Sequence, residues 1–197
     1  MSTTAAPPLP DWAVLEDRLV TELRLALATL ADDGPAEPLA AIVLWADPYK
    51  GWYEVLADTR ARNAEGAAAR NARMLALLPE LAAAPDRWKT AMTTARQIQA
   101  LDFDPQYGDY ALADDPIHTF EVSYDAFVRS ERYAELNQGG EDGWLEGHVR
   151  YVIAGALARL VAEGAFAAVA TSLLRIGYAY PDSGDAIIVA HVQPAAT

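Results

Sequence analysis

With 197 residues, 52% of them hydrophobic, the chain has enough apolar material for one core of ordinary size, and a second domain is not needed. Its 28 acidic residues outweigh 15 basic ones; the formal charge of −13 repels phosphate backbones, which argues against nucleic-acid binding, and attracts a basic protein partner. The absence of cysteine excludes disulfides, a thiolate nucleophile, iron–sulfur clusters and cysteine-type zinc sites.

The opening MSTTAAPPLP, with three prolines, reads as a disordered lead over residues 1–10. It lacks the basic start and apolar run of a secretory signal, and no apolar stretch reaches membrane-spanning length. A cytoplasmic location is the resulting expectation, and arginine's excess over lysine, thirteen to two, suggests a GC-rich bacterial source. Asp11 is placed to cap a helix in which Trp12, Leu15, Leu19, Leu23, Ala26 and Leu30 form one apolar stripe. The segment 32–38 ends it.

Next comes LAAIVLWADPYKGWYEVLADT, two β-prone runs around a turn built on Asp47, Pro48 and Gly51. Ile42 and Leu44 point to one face of the first run, Val43 and Trp45 to the other, so this strand is expected to be covered twice. A five-residue loop would make Trp45 and Tyr53 cross-strand neighbours. Helical spacing resumes at Thr59 and gathers Met74, Leu77, Leu78 and Leu81 before Pro85, with Gly66 and Pro79 blurring the limits. A further helix is expected over 86–100, then an ordered loop from Leu101 to Thr119, then a helix from Phe120 to Leu136.

WLEGHVRYVIAGALARLVAEG carries Leu145, Val149, Val152, Ile153, Ala156, Leu157 and Leu160 on a wide stripe; it should be the central packing helix, ended by Gly164. The runs LLRIGYAY and DAIIVAHV, joined by PDSGD, form a second hairpin before a frayed tail at 193–197. Combining the two hairpins gives a single α+β domain over 11–192, with an antiparallel sheet of about four strands and packed helices.

Chemical motifs are few. His118, His148 and His191 have no second ligand at metal-pair spacing. Asp102, Asp104 and Asp109 offer hard oxygen ligands, but Pro105 and Gly108 are out of register for a calcium loop, so neither metal nor cofactor is expected. Nucleophile-elbow, dinucleotide and phosphate-loop signatures are absent. No catalytic residue is assigned.

The candidate binding surface is Asp47, Tyr49 and Trp52 at the first turn, with Asp102, Asp104, Tyr107, Asp109 and Tyr110 of the acidic loop: an acidic, aromatic face suited to a basic partner. The segment order, with WADPYKGWYEVLADT, a central RWKTA and a long helix closing on LVAEGAF before a final hairpin, resembles a family of stand-alone bacterial proteins classed as a domain of unknown function. That resemblance, over residues 11–192, implies a cytoplasmic binder of the immunity type, protecting against a secreted toxin. The reading is therefore a non-enzymatic protein-binding module. Its alternatives are a hydrolase-type enzyme with dispersed Asp, Glu, His and Tyr residues and a homodimer docking through the doubly apolar hairpin.

Overall fold

The computed structural model describes residues 9–82, 102–106, 115–122, 124–136, 143–181 and 185–194. Helix α1 (Trp12–Asp33) starts where Asp11 Oδ1 accepts from the backbone N–H of Ala13 at 3.1 Å and Val14 at 3.3 Å. It stops at Gly34, whose φ of +63° suits a residue without Cβ. Its stripe of Leu15, Leu19, Leu23, Ala26 and Leu30 is buried.

Strands β1 (Leu39–Asp47) and β2 (Trp52–Thr59) form the first hairpin. Asp47 pairs with Trp52, so the loop holds four residues rather than five, and Trp45 lies opposite Glu54 while Ala46 faces Tyr53. That one-residue difference places Tyr53 and Trp45 on opposite faces of the sheet. Helix α2 (Arg60–Ala82) follows without a break, with Thr59 Oγ1 accepting from Arg62 N–H. It continues through both Gly66 and Pro79, and Met74 and Leu77 of the expected apolar stripe are exposed.

The expected loop and helix across 101–136 are corrected at their junction. His118 and Thr119 belong with Phe120 and Glu121 to a strand, β3 (His118–Glu121), because Phe120 buries its ring against Tyr53 on the core face. The expected helix is thereby reduced to two short ones, α3 (Asp125–Val128) and α4 (Glu131–Leu136), parted where Ser130 Oγ accepts from Tyr133 N–H as a cap. The expected 86–100 helix lies outside the described residues, as do residues 1–8 of the lead and 195–197 of the tail.

Helix α5 (Gly143–Ala162) buries all seven residues of its predicted stripe, and Gly164 follows with a φ of +72°. Strands β4 (Leu174–Ala179) and β5 (Ile187–Val192) make the second hairpin. The fold is α+β, but the sheet has five strands in the order β3-β2-β1-β4-β5 and is mixed: β1 and β4 run parallel. An all-antiparallel sheet of four strands is therefore corrected. The hairpins join side by side through parallel β1 and β4, a choice made by packing across the 114 residues between Thr59 and Leu174 and invisible to local pattern.

Strand β1 is central and covered twice, as its sequence implies. Ile42, Leu44 and Ala46 enter the main core with α1, α5 and Tyr53, while Ala41 and Val43 meet Leu56, Phe103 and Ala179 on the other side, where α2 packs. Both faces of β1 are thus packed against other parts of the chain. Among the described residues no helix is long and apolar enough to cross a membrane.

Candidate functional site

The hairpin tip turns its acid inward. Asp47 is 6% exposed; its Oδ1 accepts from Lys50 N–H at 3.2 Å and its Oδ2 pairs with Lys50 Nζ at 3.0 Å, while Gly51 takes a φ of +66° to close the turn. Trp52, half-buried, donates its indole N–H to Glu54 Oε1 at 2.8 Å. Tyr49 at the tip is exposed.

Asp104 belongs to a second location. It lies with Asn63 and Asp58, and Asp58 faces the start of β1, six residues and about 20 Å along the strand from Asp47. The tip and the acidic segment are consequently not one continuous face. Asn63 locks the segment by donating to Asp58 Oδ2 and to the Asp104 carbonyl, each at 2.8 Å, and accepting from Asp104 N–H at 3.0 Å. Arg70 donates to Asp104 Oδ1 at 2.9 Å and Asp185 Oδ1 at 2.8 Å. Hydrogen bonds to Asp185 and Asp104 push the Arg70 pKa above its already high ordinary value.

Asp102 is exposed, 3.6 Å from Arg175, whose guanidinium lies over the Phe103 ring. Tyr107, Asp109 and Tyr110 lie outside the described residues. A cavity of about 240 Å³ opens beside Asp58, Arg62, Gly66, Arg73 and Asp104. Its buried carboxylates are tied to amide and guanidinium partners of the chain itself. Among the described residues no group of three or more His, Asp or Glu side chains is placed to hold a metal ion.

A groove of about 700 Å³ lies elsewhere, between the N-terminal turns of α1 and α5. Trp12 comes from the first residue of α1, Trp144 from the second of α5. His148 stacks on Trp12 with ring centroids 5.3 Å apart and meets Trp144 at a tilt, centroids 4.2 Å apart. Its Nδ1 donates to the Trp144 carbonyl at 2.8 Å, because a carbonyl can only accept, which leaves Nε2 for solvent or a ligand. Tyr151, on the same side of α5, is 82% exposed.

Glu16 lines the floor, half-buried, with no ion-pair partner among the described residues. Gly143 and Gly147 keep the wall open, since a Cβ at either would meet nothing within 4 Å. Among the described residues, no serine, threonine or aspartate lines this groove to act with His148 as a nucleophile or orienting group. What the groove provides is ring surface and one carboxylate: a cradle for a cationic or amphipathic group.

Of these residues the sequence places Trp12 on the apolar stripe of its helix and offers His148 only as a histidine without a second metal ligand, while Glu16, Trp144 and Tyr151 carry no assignment there. The spacing Trp144, His148, Tyr151 is i, i+4, i+7, an aromatic stripe beside the aliphatic one, and that was the available signal. His118 is used structurally: its Nε2 lies 2.5 Å from Glu22 Oε2 and ties β3 to α1. His191 sits exposed in β5 opposite Arg175.

No protein-family model, curated protein or solved structure matches this chain.

Proposed function

We propose that the protein is a non-enzymatic binding module of the immunity type, which holds a basic segment of a protein partner in the groove between α1 and α5. The observation that carries this reading is the groove itself: the packed rings of Trp12, Trp144 and His148 with exposed Tyr151 in the same lining, and the carboxylate of Glu16, which has no ion-pair partner among the described residues. Aromatic side chains bury large areas at small entropic loss, and truncating such anchors in interfaces costs about 2 kcal/mol or more. A lysine or arginine entering here gains a ring face and a carboxylate together. The charge of −13 supports the same partner chemistry by steering a basic protein toward the surface.

The hairpin tip with Asp47, Tyr49 and Trp52, and separately Asp102, are secondary contacts in this proposal. Asp47 is already neutralised by Lys50, so Tyr49 and Asp102 are the accessible members.

The test is capture from lysate of the source cells with the tagged wild-type chain and with Trp144→Ala, Tyr151→Ala and Glu16→Gln, washed at low and high salt. A stoichiometric basic partner is expected on the wild type at low salt, lost at high salt and lost from the groove variants. Tyr151 makes little of the core, so its variant keeps the comparison valid should Trp144→Ala unfold. Equal retention of the partner by all three variants, or an empty capture, would overturn the proposal.

A further inference from the structure

We infer that the group selected by the groove between α1 and α5 is an arginine guanidinium, taken in preference to a lysine ammonium and set between the Glu16 carboxylate and the Tyr151 ring. This rests on the reading of the groove as the seat of a basic segment, and it names the side chain that fills it.

The seam between the two helices is a ladder of carboxylates and guanidiniums. Arg159 donates to Asp17 Oδ1 at 2.9 Å and to Glu163 Oε1 at 3.3 Å, and Arg24 also donates to Glu163, which directly follows α5. Glu16 leans across the same seam one turn nearer the N-terminus of α5. Its Oε2 lies 3.5 Å from the point where a Cβ of Gly155 would stand, and Gly155 is four residues before Arg159. Against the carboxylates of Asp17, Glu163 and Glu16 the seam sets only Arg24 and Arg159, both engaged by the first two acids. Glu16 is the rung without a cation among the described residues, and it lines the groove. Tyr151 lines the same groove one turn before Gly155, and its 82% exposure leaves the ring open to contact.

Elsewhere this chain twice completes a ring and a carboxylate with an arginine. The Arg175 guanidinium lies 4.4 Å from the Phe103 ring centroid with Asp102 Oδ2 3.6 Å away, and that of Arg150 lies 4.8 Å from the Tyr180 centroid and pairs with Glu146. Those sites show that the geometry takes a guanidinium; the choice over lysine is chemical. A guanidinium is flat and weakly hydrated, so its face can lie on a ring while its edge donates two parallel hydrogen bonds to a carboxylate. An ammonium is compact and strongly hydrated and has no such face. It would surrender water to walls of Ala13, Gly143, Gly147 and Val152, whose side chains accept no hydrogen bond.

Two blocked pentapeptides of equal charge, acetyl-Gly-Gly-Arg-Gly-Gly-amide and its lysine counterpart, decide it when titrated into the full chain at about 50 mM salt, where screening is weak. Binding is followed through the indole N–H NMR signals of Trp12 and Trp144. The arginine peptide is expected to bind about tenfold more tightly than the lysine peptide, and Glu16→Gln and Tyr151→Ala should each weaken it about fivefold or more. Tyr151→Ala, at an exposed position, carries the comparison should Glu16→Gln fail to fold. Equal affinities for the two peptides, no shift of either signal up to about 20 mM arginine peptide, or arginine binding unchanged by the variants overturns the inference. Equal affinities together with a partner captured through the groove remove only the arginine preference and leave the binding module standing. An arginine preference with an empty capture keeps the ligand chemistry and removes the immunity-type partner.

Discussion

Gly66, in the middle of α2, faces the Asp104 carboxylate so closely that a Cβ at residue 66 would stand 2.4 Å from Asp104 Oδ2. A helix-interior glycine is ordinarily about 1 kcal/mol worse than alanine. Here it lets the helix approach a side chain that is only 2% exposed and whose Oδ1 is held by Arg70 and by Gln106 N–H. Oδ2 itself has no hydrogen-bond partner and lies against the bare Cα of the glycine. Gly66→Ala should therefore destabilise, by about 1–3 kcal/mol, despite alanine's helix preference, because the carboxylate must move and disturb the Arg70 bridge. In an Asp104→Ala background the same change should become neutral or stabilising. Chemical denaturation of the four-member cycle measures the coupling; additive effects would refute it.

Tyr53 and Tyr124 share a buried hydroxyl pair, Oη to Oη 2.7 Å, with the Tyr53 ring stacked on Phe120 at 5.0 Å. Removing one hydroxyl leaves the other buried without its partner. Tyr53→Phe and Tyr124→Phe should each cost about 1–2 kcal/mol, and the double variant should lose clearly less than their sum. Thermal or urea unfolding of the three variants gives the comparison.

The same burial predicts alkaline sensitivity. Burial pushes Tyr124 up to about 12 and holds Tyr53 and Tyr180 far above the ordinary tyrosine range. The native state then keeps these protons after the unfolded chain has begun to lose them near pH 10. Their contribution is fully present below that pH and is lost as pH rises, at about 1.4 kcal/mol per unit for each tyrosine until the native group ionises. Absorbance titration at about 295 nm should show Tyr53, Tyr124 and Tyr180 ionising only with unfolding. Smooth titration of all nine without loss of structure would contradict this.

Tyr151 and Leu145 lie on the same helix with opposite duties. Tyr151→Ala, at a position 82% exposed, should change stability by less than about 0.5 kcal/mol, whereas Leu145→Ala, fully buried, should cost about 2–5 kcal/mol. Denaturant midpoints of the two variants test the assignment of Tyr151 to the groove rather than the core.

Much of the architecture was legible in local pattern. The stripes of α1 and α5, the Asp11 cap, the break over 32–38, the glycine stop at Gly164, and both hairpins follow from spacing and turn chemistry acting over a few residues. The register of the first hairpin stayed open in the sequence, because a four-residue loop closed on Asp47 and Gly51 suits it as well as a five-residue one, and the structure takes the four-residue loop. β3 was unreadable in advance: four residues with a single buried phenylalanine become a strand only because the β2 edge is there to receive them. For the site, the acid-rich composition was informative about partner chemistry, but it directed attention to Asp47 and Asp104, which the fold buries and neutralises.

What this sequence determined by itself is what periodicity, capping and turn residues determine anywhere: helices with committed apolar faces, a strand apolar on both sides, and a strongly acidic chain. Only the tertiary structure decided that the two hairpins join in parallel, that Asp104 sits against Gly66, and that Trp12 and Trp144 meet around His148. Those contacts join residues far apart in the chain, and their energies arise from shared burial and close approach, which no local segment encodes.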